Sequence, residues 1–394
     1  MPKFEQKFAD FFTKHSSVLF FIVITVLGIA IRFVGKNFLS SDMYNFLIPW
    51  FDTMKEHGGL AGLKNQVGDY NVLYQTFIAV MTYIPLNPMT QYKLLSCTFD
   101  YLLAFFLAAF ACRLKQSPLF GTLFQSVYAV ILFLPTVVFN SAFWGQCDSM
   151  YVFCLILVLL LMHKNKYLPA FIVLGISFAL KFQTVFFLPF LVSFYFVKKK
   201  FSAGLFAVSA LSFWLCGGVA YIFGRNPLSP FTVYFSQTQT YDHMYLNARS
   251  IWQLFGDDYP RLSGFAVLLT LGICGLGFYM ILQKKKRMDS SIQILNTIAW
   301  FAWVCIFFLP AMHDRYAYFL DLILLLLAFL DKKYIKFAVF SLLLSFMAYP
   351  AFLIFSNGVT RADAFIEFFV FAYYTYVIMQ PDENRPVEVS AAAW

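Results

Sequence analysis

Apolar runs of membrane-crossing length alternate with short polar turns along nearly the whole chain. They cover residues 18–34, 92–112, 119–139, 150–162, 168–180, 184–197 and 202–222. After a long polar stretch they resume at 262–282, 292–309 and 316–330, and apolar sequence continues to residue 379. A helix needs about 20 mostly apolar residues to cross a hydrocarbon core. The pattern therefore predicts seven spans, a long external loop, and four or five further spans. Residues 72–86 form an apolar run that is short and closes at Pro85 and Pro88. They read as a helix lying in the interface.

The stretch before them has a different period. Met43, Phe46, Leu47, Trp50 and Met54 recur at helical spacing, with Asp52, Lys55 and Glu56 among them. This predicts an amphipathic helix lying on the membrane. Ser40, Ser41 and Asp42 are N-cap residue types, and Gly58-Gly59 marks the end. A second interfacial helix begins after G-D-Y-N at 68–71. The expected fold is an all-α polytopic membrane protein with about 11–12 transmembrane helices and two interfacial helices in the first external loop.

Composition changes this picture little. Of 394 residues, 61% are hydrophobic and only 12% charged, which excludes a soluble globular domain. Charge supplies the orientation. Basic turns occur at Arg113 with Lys115, Lys164 with Lys166, 198–200, 284–287, and Lys332, Lys333 with Lys336. Two apolar segments separate each from the next, so all five share one side, and lysine-rich short loops mark the cytoplasm. The net +9 is then topological. It suits contact with anionic membrane lipid and gives no support for nucleic-acid binding. The N-terminal stretch with Lys3, Lys7 and Lys14 does not read as a cleavable signal. Seven cysteines without a C-x-x-C pair suggest neither a zinc site nor a disulfide framework. The terminal S-A-A-A-W at 390–394 reads as an expression scar.

The polar turns of unusual chemistry all fall on the opposite, outer side. They are S-S-D-M-Y-N-F at 40–46, G-D-Y-N, W-G-Q-C-D at 144–148, K-F-Q at 181–183, N-A-R-S-I-W at 247–252 and M-H-D-R-Y at 312–316. Asp42 and Asp69 each stand at the head of an interfacial helix. A carboxylate at that boundary can accept a hydroxyl proton, or it can simply cap its helix, a contribution of about 1 kcal/mol. Asp148 heads a span, where it can bind a sugar hydroxyl or serve as a cap. The amides of Gln183 and Asn247 suit the same two roles. Trp144 suits sugar stacking or an interfacial aromatic belt. A partly polar helix is expected around residues 245–255, within an external loop at 223–261 that covers the cavity and supplies Arg249.

In this order, the blocks from about residue 33 to residue 321 resemble the GT-C superfamily of polyprenyl-phosphate-sugar-dependent glycosyltransferases. The likeness is nearest to bacterial relatives of the mannosyltransferases of glycolipid-anchor synthesis. It implies a GT-C module over 1–261, with seven transmembrane helices and external loops at 35–91 and 223–261, followed by transmembrane helices and a tail over 262–389. It also implies an inverting transfer at the outer face of a bacterial plasma membrane, from a polyprenyl-phosphate-linked sugar to a hydroxyl of a glycan, lipid-linked glycan or protein. Asp42 stands where the general base is expected. Asp69, beside Tyr70, matches a second position that orients sugar or acceptor. The phosphate leaving group calls for cations, and the outer turns offer Lys181, Arg249, His313 and Arg315. The loop lacks a D-x-D, so no metal is expected, and no cofactor.

Two other readings compete. A transporter or flippase of lipid-linked sugars would put polar sites near the midplane of broken helices, and only Asp100 and Asp321 lie within the well-defined spans. A ligase or polymerase of lipid-linked glycans would share the fold and release diphosphate.

Overall fold

The computed structural model describes residues 2–283, 288–355 and 359–380. The basic turn at 284–287 and the tail beyond residue 380, with the terminal stretch at 390–394, lie outside the described residues. The chain opens with α1 (Lys3–Val34). At 1.5 Å per residue it is about 48 Å long, more than the ~30 Å hydrocarbon core. The first long loop holds a π-helical turn, Met43–Leu47, running into α2 (Ile48–Glu56), and then α3 (Val72–Met81). Next come α4 (Pro88–Lys115), α5 (Thr122–Phe133) and α6 (Pro135–Val138), and a second π-helical turn, Phe139–Trp144. Shorter helices follow: α7 (Asp148–His163), α8 (Tyr167–Leu180), α9 (Leu188–Lys198), α10 (Gly204–Leu215) and α11 (Gly218–Ile222). The second long loop contributes α12 (Ser229–Thr240). The remainder is α13 (Tyr259–Gln283), α14 (Ser291–Phe308), α15 (Tyr318–Leu330), α16 (Ile335–Pro350) and α17 (Arg361–Met379).

The chain is thus an all-α, multi-pass protein. Among the described residues six helices are long and apolar enough to cross a membrane: α1, α4, α13, α14, α16 with its flanking turns, and α17. The α5–α6 pair makes a seventh if it counts as one span bent by 51°. Pro135 explains the bend, because proline cannot donate to the preceding turn. At the bend the Leu132 carbonyl accepts from Arg32 Nη1 at 3.0 Å. Arg32 also donates through Nε and Nη2 to Asp100 Oδ2 at 3.0 and 2.8 Å, and Ser141 Oγ donates to the same oxygen at 2.5 Å. This buried cluster ties α1, α4 and the bent span together and accounts for one of the two intramembrane aspartates. The other, Asp321, accepts from Ser341 Oγ at 2.5 Å.

In the first loop, Met43, Leu47, Phe51 and Met54 are buried while Asp52, Lys55 and Glu56 are exposed, as an amphipathic helix requires; Phe46, expected on the apolar face, is exposed. The helix closes at Gly58, whose φ of +82° favours glycine. α3 has ten residues, about 15 Å, too short to cross. The second long loop differs from expectation. Its helix lies at 229–240, not around 245–255. Tyr245–Leu246 instead forms a short parallel pairing, β1, with β2 (Met312–His313). Asn247, at a φ of +53°, turns the chain away from helical geometry just after it. The two long loops are stitched together. Arg225 Nη1 donates to the Leu63 carbonyl at 3.2 Å and to Gln75 Oε1 at 3.1 Å, and Asn71 Nδ2 donates to the Pro230 carbonyl at 2.9 Å.

Candidate active site

Asp42 is the centre from which the site is best built. It follows Ser40, and Ser40 does the capping: its Oγ accepts from the Met43 N–H at 3.2 Å. Asp42 has helical backbone angles and makes no capping bond. Its carboxylate instead reaches the 144–148 turn. Trp144 Nε1 and Gln146 Nε2 both donate to Asp42 Oδ2, at 2.8 and 2.7 Å. Among the described residues nothing bonds Oδ1. Asp69 does not cap either. Asn71 Oδ1 takes the Val72 N–H at 2.7 Å and opens α3, and the Asp69 carboxylate lines the cavity. Burial raises the Asp69 carboxyl above its ordinary pKa.

Two cations stand behind this carboxylate. Lys181, at the end of α8, bonds Asp148 Oδ1, and both side chains are buried. Asn140 Nδ2 donates to Asp148 Oδ2 at 2.8 Å. Arg315 comes from the turn before α15. Its Nε is 3.6 Å from Asp148 Oδ2, and its Nη1 is 3.9 Å from Asp42 Oδ2 and 4.0 Å from Asp314 Oδ1. Its guanidinium lies over the Trp144 ring, 5.1 Å from the centroid. None of these contacts has hydrogen-bond length, and Arg315 Nε is buried without a partner. The contrast with two buried arginines is plain. Arg32 bonds through Nε, Nη1 and Nη2, and Arg249 through both terminal nitrogens, Nη1 to Glu367 Oε2 at 3.0 Å and Nη2 to Ser345 Oγ at 2.9 Å.

A cavity of about 440 Å³ opens beside these groups. Asp42, Asp69, Tyr70, Lys181, Gln183, His313 and Arg315 line it. Of the expected site residues, those seven come together. Asp148 lies just behind the wall, holding Lys181. Asn247 is also one step back: its Nδ2 donates to Asp314 Oδ2 at 3.2 Å and its Oδ1 accepts from the Val359 N–H at 2.7 Å. Arg249 does not reach the cavity. The chain carries it down among α16 and α17, where Glu367 neutralises it. His313 reaches the cavity but is not a cation there. Burial, with Arg315 and Lys181 nearby, holds its imidazole well below its ordinary pKa. It offers a hydrogen bond and no charge. Trp144 serves neither expected role. It is fully buried, in contact with the Arg315 guanidinium and with the Phe352 ring, which stacks on it at 4.6 Å.

Gln146 is a part of the site that sequence reasoning passed over. Its Oε1 accepts from Tyr70 OH at 2.7 Å while its amide holds Asp42. Tyr241 and Tyr316 also line the cavity and flank the His313 ring at 4.8 and 5.1 Å. Nothing local in the sequence marks the contacts of Gln146 and Tyr241, because they join segments 72 to 104 residues apart; only Tyr316 is a near neighbour of His313 in the chain. The backbone does show a common signature. Three π-helical segments, Met43–Leu47, Phe139–Trp144 and Ala351–Phe355, each deliver residues to this site. Such turns are uncommon and cluster at functional sites. Among the described residues no group of three or more His, Cys, Asp or Glu is placed to hold a metal. The chain matches no protein-family model and no curated protein.

Proposed function

We propose that the chain is an inverting glycosyltransferase of GT-C type, moving a sugar from a polyprenyl-phosphate donor to an acceptor hydroxyl on the extracytoplasmic face. In this reading α7, α8, α9 with the 3₁₀ turn Phe182–Phe187 before it, α10 continued by α11, and α15 also cross the membrane, giving about twelve spans. The observation that carries it is one cavity lined by three unlike things. It has a carboxylate with one unbonded oxygen, two cations behind it, and an apolar wall that includes Val185, Phe186, Val267 and Leu309. Val267 lies eight residues into α13 from Tyr259, another lining residue, so the wall runs about 12 Å along that helix. An anionic head with a long apolar tail fits such a wall.

The chemistry follows from the residues. Asp42 Oδ1 takes the proton of the acceptor hydroxyl. The hydroxyl oxygen attacks the anomeric carbon from the face opposite the phosphate, which inverts the configuration. The bond from the anomeric carbon to the phosphate oxygen breaks, and its electron pair leaves with the phosphate. Arg315 and Lys181 stabilise the charge that develops there, Arg315 through a fork free to grip two oxygens. The neutral His313 ring donates one hydrogen bond. Asp69 and Tyr70 orient sugar or acceptor.

The transporter reading has less to rest on. The carboxylates within spans, Asp100, Asp321 and Glu367, all have partners. Purified protein given a panel of polyprenyl-phosphate sugars tests the proposal. Mass spectrometry is expected to find one sugar transferred and polyprenyl monophosphate released; diphosphate release from a lipid-linked glycan would favour a ligase or polymerase. Orientation is tested separately: cysteines at Gln66 and Thr240 are expected to react with impermeant thiol reagents from outside, and cysteines at Lys115 and Lys199 to resist them.

A further inference from the structure

The 144–148 turn is held to the first loop with little freedom. Gly145 has a φ of +77°, and a Cβ there would run into Met43 Cε. Ser40 Oγ donates to the Trp144 carbonyl at 3.1 Å. The Gln146 N–H donates back to the Asn140 carbonyl at 2.9 Å, closing the turn on its own π-helical segment. Gln146 is buried and sits between Tyr70 and Asp42. The direction of its amide is decided by its neighbours. Burial pushes the Tyr70 phenol well above its ordinary range, so Tyr70 keeps its proton and donates it. Gln146 must then accept on Oε1 and present its NH₂ to Asp42.

We infer that Gln146 is a positioning residue for the proposed base: the chain from Tyr70 through Gln146 to Asp42, together with Trp144 Nε1, occupies Asp42 Oδ2 and leaves Oδ1 as the oxygen that meets the acceptor hydroxyl. This rests on the glycosyltransferase reading. It adds that base orientation depends on a residue of another turn, which itself is set by a tyrosine of the second expected site. Donor binding is a separate matter, since Gln146 touches neither Lys181 nor Arg315 through any hydrogen bond.

Two measurements test it together. The first is kinetic. Gln146→Ala is expected to lower kcat about tenfold to a hundredfold, the range for losing a hydrogen bond to a charged group, with donor KM near wild type. Gln146→Glu sets a second carboxylate against Asp42, and the acid limb of its pH–rate profile is expected to move to higher pH. Tyr70→Phe frees the amide to turn and is expected to act like Gln146→Ala, more weakly, which keeps the test available if the alanine variant misfolds. The second needs no activity. In protein with ¹³C-labelled aspartate, the carboxylate band of Asp42 is isolated as the infrared difference between wild type and Asp42→Asn. It is expected to shift when Gln146 is replaced, because Oδ2 loses a donor. An unmoved band, or a change confined to KM, overturns the inference about Gln146. A shifted band in a protein that transfers no sugar from any polyprenyl-phosphate donor overturns the glycosyltransferase reading, and the role of Asp42 as base with it, while leaving the contact intact.

Discussion

Arg32 and Arg315 both stand beside aspartates, Arg32 buried within the bundle and Arg315 half-buried at the cavity, yet they are held in opposite ways. Arg32 meets Asp100 twice at bonding distance and spends its remaining reach on the carbonyls of Gly28 and Leu132, at 3.2 and 3.0 Å. Arg315 sees carboxylates at 3.6, 3.9 and 4.0 Å and completes no side-chain hydrogen bond among the described residues. A charge enclosed without hydrogen bonds is costly; the fold removes that cost at Arg32 and Arg249 and leaves the Arg315 guanidinium free at the cavity, as the proposed donor-phosphate site requires. The same division separates the two halves of the polar chemistry. The hydrogen-bonded pairs hold helices together. The guanidinium without a side-chain hydrogen bond faces the cavity.

Substitution separates the two arginines most sharply. Arg32→Ala leaves Asp100 buried without its counter-charge, which costs about 3–5 kcal/mol. The protein is expected to lose most of its folded yield, measured by detergent-solubilised monodisperse fraction and Tm. Arg315→Ala is expected to keep that yield, since Asp148 retains Lys181 and Asn140. Its loss should appear in donor affinity instead, by about 1.5–3 kcal/mol or tenfold to a hundredfold, read by titration with a polyprenyl-phosphate sugar. Equal effects of the two substitutions on Tm, with donor binding untouched in Arg315→Ala, would erase the distinction. Lys181→Ala falls between them, because Lys181 both faces the cavity and neutralises Asp148. It is expected to lower Tm and donor affinity together.

The smallest effect concerns pH. Burial pushes the Asp314 carboxyl up to about 7, even with Arg315 alongside. Below that pH it is mostly protonated and leaves Arg315 to the donor. As pH rises through about 7 it ionises 4.0 Å from Arg315 Nη1 and competes for the guanidinium. A phosphodiester donor stays ionised throughout, so donor affinity is expected to fall a few-fold between pH 6 and pH 8, the size of a weak ion pair. Asp314→Asn should flatten that profile. A wild-type affinity that rises over the same interval would contradict this assignment.

How far the sequence foretold this can be argued residue by residue. Helices, turns and the two short first-loop helices were legible because hydrophobic period and glycine placement are local signals. Asp42, Asp69, Lys181 and Arg315 were legible as candidates because uncommon polar residues recur in turns between apolar runs. Arg249 satisfied the same rule but lies elsewhere, since the rule says which end of the bundle a turn occupies and not which way its chain then runs. Gln146 was missed for the converse reason: an amide acquires a role only from its partners, Tyr70 and Asp42, which are 76 and 104 residues away. The helix expected around 245–255 is absent because Tyr245–Leu246 pairs with Met312–His313, a long-range contact that no local pattern announces.

The account turns on Asp42 as the proton acceptor, and one variant addresses that alone. Asparagine keeps the shape, keeps an oxygen for Trp144 and Gln146, and removes the basic carboxylate. In a single-turnover experiment with donor pre-bound to Asp42→Asn, donor affinity and Tm are expected to match wild type while sugar transfer to acceptor slows by about 10²–10⁴-fold. Transfer within about tenfold of wild type, with donor bound, would contradict the assignment of Asp42 as the base.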